Sequence, residues 1–156
     1  MSDQEQEFDV SQSREIVTFR LSEQDFCIDI MNIREIRGWT QPTPLPHSPH
    51  YVRGLINLRG AVLPIMDLAE RLGLPAREAT ARDVIIVAMV ESQLIGLVVD
   101  GVSDILTVSQ NDIQPTPTMG AESSQGYVEG IMSIDDRMIR ILDLARIFPK
   151  ALGEAA

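Results

Sequence analysis

The residues best placed to do chemistry in this chain are two aspartates at matching positions. Asp67 in "PIMDLAERLG" and Asp143 in "RILDLARIFP" stand 76 residues apart, each before Leu-Ala and a short apolar turn. A carboxylate pair can divide general acid and base work if the fold brings its members together. The same place is also that of a helix N-cap, where a carboxylate accepts from the first free N–H groups, and capping explains both without catalysis. His47 and His50 in "HSPH" offer two imidazoles, whereas zinc takes three or four ligands, so they are read as solvated loop residues. Cys27 is the only cysteine. It lies in the apolar run "DFCIDI", reads as a small buried hydrophobe and excludes an internal disulfide framework. Asp29 beside it gets no role. Neither a Gly-rich phosphate loop nor a Gly-x-Ser-x-Gly elbow occurs, and no nucleophile, base and oxyanion site assemble. No catalytic residue, cofactor or metal is therefore expected.

Arg59 is a different matter. It sits in "GLINLRGAVLPIMDL" (54–68), and the same framework returns as "GIMSIDDRMIRILDL" (130–144), where Arg59 and Gly60 become Asp135 and Asp136. A tight turn there needs Gly60 for positive φ, with help from the Asn57 side chain, but it does not need a guanidinium. Held at a rim, an Arg presents five donors in a fixed fork, suited to a carboxylate on a protein partner. Residues 30–60 also hold Arg34, Arg37 and Arg53 against Glu35 alone, within a chain of net charge −10. That local basic surface is too small to neutralise a nucleic acid backbone and suits an acidic protein surface instead. Trp39, the only tryptophan, closes "MNIREIRGW" and is read evenly as core or as an interface anchor.

The elements that position these residues follow from the apolar pattern. "IVTFRL" alternates as a half-buried strand, "SEQD" turns it back into "FCIDIMNI", and the pair makes a hairpin. "VIIVAMV" (84–90) is continuously apolar, as for a strand covered on both faces, and makes a second hairpin with "LIGLVV". "YVRGLINL" and "AVLPIM" flank the Arg-Gly turn, with Pro64 marking a sheet edge or a bulge. "DLAERLG" reads as a short helix with Asp67 as N-cap, Glu70 as its capping-box partner and Gly73 as the stop. "DLARIFP" repeats this with Pro149 as the stop.

Residues 16–36 also overlay 85–105 at an offset of 69, so the second copy carries seven extra residues in its middle loop, near Gln114–Gly126. Two copies of one unit, roughly 15–72 and 84–148, are expected. Each is too small for a secure core of its own, so the two small barrels pack together. Residues 1–14 read as a flexible acidic N-terminus and 149–156 as a C-terminal tail. Nothing approaches a transmembrane span or a leader, which predicts a soluble cytoplasmic protein.

The stretches "IREIRG" (33–38), "YVRGLINLRGAVLPIMDL" (51–68), "VVDGVSDIL" (98–106), "YVEG" (127–130) and "ILDLARIF" (141–148) together resemble the CheW-like domain family of chemotaxis coupling proteins. The resemblance runs from about Ile16 to Phe148. It implies a mainly β protein: two packed five-stranded SH3-like β-barrels round a shared core, each with a short helix, and no enzymatic activity. It implies an adaptor linking the cytoplasmic tips of chemoreceptors to the histidine kinase CheA, through the CheA regulatory domain, in rings beneath membrane-associated receptor arrays. No direct membrane insertion and no nucleic acid partner are implied. Arg59 and Asn57 would serve receptor binding, and Ile33, Glu35, Ile36 and Gly54 the kinase-facing side. Met119, where relatives can have Phe, would make a ring contact. The length leaves no room for a kinase core or a receiver, so a stand-alone coupler is expected. A CheW-like adaptor of a non-flagellar chemosensory pathway and a small enzyme with a site between the halves are the alternatives.

Overall fold

Ten strands form among the described residues, which are 12–75, 78–116 and 126–148 of a computed structural model. They are β1 (Ser13–Leu21), β2 (Gln24–Asp29), β3 (Ile33–Gly38), β4 (Val52–Leu58) and β5 (Ala61–Asp67), then β6 (Val84–Val90), β7 (Gln93–Val99), β8 (Gly101–Ser109), β9 (Val128–Ile134) and β10 (Arg137–Leu142). One-turn helices α1 (Leu68–Arg71) and α2 (Leu144–Ile147) follow β5 and β10. Four two-residue turns close the hairpins, each with positive φ at both central residues: Ser22-Glu23, Arg59-Gly60, Glu91-Ser92 and Asp135-Asp136. Such turns match the twist of the strands they join, and they recur at the 69- and 76-residue offsets of the repeat. Arg59 thus takes a left-handed conformation of its own, at φ +53°, and Gly60 is not the only residue of the turn that does.

The strands assemble into two five-stranded sheets, ordered β8-β1-β2-β10-β9 and β3-β6-β7-β5-β4. These do not follow the repeat boundaries. The first hairpin of each copy leaves its own unit and joins the last three strands of the other, through parallel pairing of β2 with β10 and of β7 with β5. Two small units that each expose a core have a direct route to burying it, which is to trade an identical element, as swapped dimers do.

Three apolar clusters result. Ile16, Cys27, Val108, Met132, Ile139 and Ile141 fill the first sheet, while Ile56, Leu58, Leu63, Ile65, Ile85, Val87 and Val98 fill the second. Between the sheets lies a larger cluster with Phe19, Phe26 and Ile28 from one side, Ile86, Leu97 and Val99 from the other, Leu68 and Ile147 from the helices, and Leu72 just past α1. Strand β6 serves two of these at once, with Ile85 and Val87 on one face and Ile86, Ala88 and Val90 on the other. Strand β1 is covered more fully than its alternation predicts, because Thr18 is also buried. Its hydroxyl accepts from the Asp104 N–H at 3.0 Å, beside a bulge that shifts the β1–β8 register. Pro64 lies on an internal strand, but one residue ahead of the point where β5 begins to pair with β7 at Ile65. Its missing N–H therefore leaves no gap in the ladder.

Both aspartates cap. The Asp67 carboxylate accepts from the Glu70 N–H at 3.2 Å, and Asp143 accepts from the Ala145 N–H at 3.1 Å. Glu70 turns its carboxylate to Arg53, at 3.3 Å. Helix α1 closes itself: Gly73, at φ +83°, donates to the Glu70 carbonyl, and Leu74 donates to that of Ala69. Those two bonds are the Schellman ending. Helix α2 has no glycine at the matching place, since Pro149 stands where the first copy has Gly73.

Candidate protein-interaction surfaces

The second sheet ends in the Arg59-Gly60 turn. Asn57 steadies it as predicted, its side-chain oxygen accepting from the Gly60 N–H at 2.9 Å. Arg59 is not a free guanidinium: it donates to Glu35 at 2.8 Å, across to the opposite edge strand of the same sheet. Arg37 donates to the other oxygen of that carboxylate at 3.1 Å. The Arg59 hydrogen bond, seconded by that of Arg37, holds the Glu35 carboxyl below its ordinary 4.5. Arg59 nonetheless keeps 74% of its side chain exposed, so its remaining donors face solvent. Residues expected on two separate faces, Arg59 and Glu35, therefore share one ion pair.

On the strands that carry or adjoin that pair, Ile36 on β3 is 43% exposed and Val62 on β5 is 63% exposed. The first sheet repeats this pattern at the equivalent positions, with Ile105 on β8 and Met138 on β10 both more than half exposed. There the turn is Asp135-Asp136, and Arg137 next to it is held by Asp25 at 3.1 Å. The molecule so carries two tips with the same apolar framework, one basic at its turn and one acidic. Val62, Ile105 and Met138 were missed in the sequence, although they share repeat positions and stand within three residues of a turn or on an edge strand.

Ile33 is half-buried against the central cluster. Gly54 is buried, and a Cβ on it would lie 2.2 Å from the Thr43 carbonyl oxygen, at a φ of +143°. Its place is backbone packing: Leu55, next to it, exchanges hydrogen bonds with Thr43 and so pins the Pro-rich loop. Trp39 is half-buried, packed against the interior of the second sheet with part of its surface still exposed. Met119 lies outside the described residues.

A groove of about 280 Å³ runs between the sheets, lined by Arg14, Asp29, Asn32, Glu91 and Asp143 among others. Asp29, without a role in the sequence reading, pairs there with Arg14 at 3.4 Å and caps the 3-10 turn Ile30–Asn32. Cys27 is buried in the first sheet, and burial pushes its thiol up to about 12. His50 stands edge-on to the Tyr51 ring, and no cluster of metal-ligating side chains forms among the described residues. No helix there is long and apolar enough to cross a membrane.

Residues 15–152 match the CheW-like domain family. The chain is 54% identical to "Chemotaxis protein CheW" of Rhizobium meliloti over 143 residues, covering 92% of each chain. It is 53% identical to "Probable chemotaxis protein CheW" of Rhizobium etli, again over 92% of each. Among solved structures it is similar to the scaffolding protein TtCheW from Thermoanaerobacter tengcongensis. That likeness has a TM-score of 0.81 at 34% identity and covers 86% of this chain and 92% of the other.

Proposed function

We propose, for a chain that belongs to the CheW-like domain family, that it is a chemotaxis adaptor coupling chemoreceptor tips to the kinase CheA. It works through protein surfaces, without chemistry of its own, in the cytoplasm at membrane-associated arrays. The observation that carries this reading is the pair of tips with matching exposed apolar residues and opposite turn charge. Two like frameworks with unlike charge suit two different neighbours, because charge selects partners and register while the apolar patch supplies contact.

In this reading Ile36 and Val62 form the apolar part of a kinase-facing surface, with Ile33 and Glu35 behind it. Gly54 contributes through the loop it allows. Arg59 and Asn57 meet acidic groups of the receptor tip, and the inter-sheet groove takes a receptor helix. Met119 would lie in a ring contact. Since Glu35 and Arg59 are bonded to one another, the receptor and kinase surfaces adjoin, and a change at either residue disturbs both. The test is co-sedimentation with a receptor-tip fragment and a CheA regulatory domain, separately and together. Binding to each, and a ternary assembly with both, is expected. Association with neither would overturn the reading.

A further inference from the structure

We propose that Arg71 is the positioning residue that sets the angle between the two sheets. It leaves α1, the helix attached to the second sheet, and donates to the carbonyls of Ile147 at 2.8 Å and Arg146 at 3.3 Å, at the end of α2, the helix attached to the first. Its guanidinium lies between two rings, 4.7 Å from the centre of Tyr51 and 4.9 Å from that of Tyr127. Cation–π contact with two rings and two charge-assisted hydrogen bonds hold the guanidinium in place.

The repeat explains the placement. Tyr51 and Tyr127 are equivalent at the 76-residue offset, and their carbonyls accept equivalently from Asp67 and Asp143. Position 71 is itself equivalent to Ile147, the residue whose carbonyl Arg71 reaches. A side chain that touches its own counterpart, between two counterpart rings, stands at the approximate twofold axis relating the halves. Only one long side chain fits on such an axis. The second copy accordingly has Ile147, which turns into the central cluster. The two helix endings complete the logic: α1 caps itself through Gly73, whereas α2, without that glycine, has its last carbonyls satisfied by Arg71. One residue thus couples the ends of both helices and both tyrosines, and few rotations of one sheet against the other keep all four contacts.

The inference is independent of the partners. It is tested on the full-length protein with spin labels at Arg34→Cys and Ser103→Cys, exposed sites on β3 of the second sheet and β8 of the first. A within-sheet control pair uses Arg34→Cys and Gln93→Cys, on β3 and β7 of the second sheet; the buried Cys27 stays in place. Arg71→Leu is expected to shift and broaden the inter-sheet distance distribution and to leave the control pair as it was. Arg71→Lys, with charge but no fork, should fall between. An unchanged inter-sheet distribution in Arg71→Leu would overturn the proposal. Should that variant lose its fold, Arg71→Lys decides in the same terms. Loss of the control distance in both variants would also overturn it, since Arg71 would then support folding as a whole and not an angle.

Discussion

Reversing Arg59 to Glu would set two carboxylates against each other where the turn now meets β3. The expected outcome is a folded protein that no longer co-sediments with a receptor tip, and retained binding would remove Arg59 from that surface. The pair also has a defined pH window. Glu35 titrates below its ordinary 4.5 in the folded chain, so the contribution of the pair is complete above that value and is lost as pH falls through the lowered one. Amide NMR shifts of Arg59 and Gly60 should follow a titration whose midpoint lies below 4.5. Gly54→Ala is the more severe change, because the new Cβ meets backbone at 2.2 Å. A loss of about 2–4 kcal/mol in urea unfolding is expected, the size of a backbone clash at a special φ. Arg59 and Glu35 were each singled out in the sequence, but their pairing was not legible: they lie 24 residues apart, and local spacing says nothing of a bond across a sheet seam.

At the scale of elements, much was legible because its causes are local. The places of the turns, the capping aspartates and the doubly apolar β6 all announce themselves within a few residues, although positive φ was expected at Gly60 alone. Strand exchange did not, since apolar alternation tells which side chains of β2 are buried but not that β10 lies beside it. The exchange makes a prediction of its own. A chain cut between residues 75 and 78 yields one piece with β1–β5 and another with β6–β10, and each sheet draws strands from both. Each piece alone should lack native circular dichroism, and mixing them should restore it. A native spectrum from either piece alone would contradict the pairing described.

At the scale of the whole molecule, Cys27 reports on global opening. It lies inside the first sheet with its thiol raised to about 12, so reagent access requires that sheet to open. Thiol labelling across a urea series should follow loss of circular dichroism; labelling well before it would mean that the first sheet opens alone. The two sheets differ in one more respect. Strands β3–β7 are consecutive, whereas the other sheet is built from both ends of the chain. During synthesis on the ribosome the consecutive sheet can close while its partner is still missing three strands. The earliest hairpin must wait, with Ile16 and Cys27 uncovered, for the last residues to emerge. A nonsense codon late in the message would therefore undo the part of the protein that was made first.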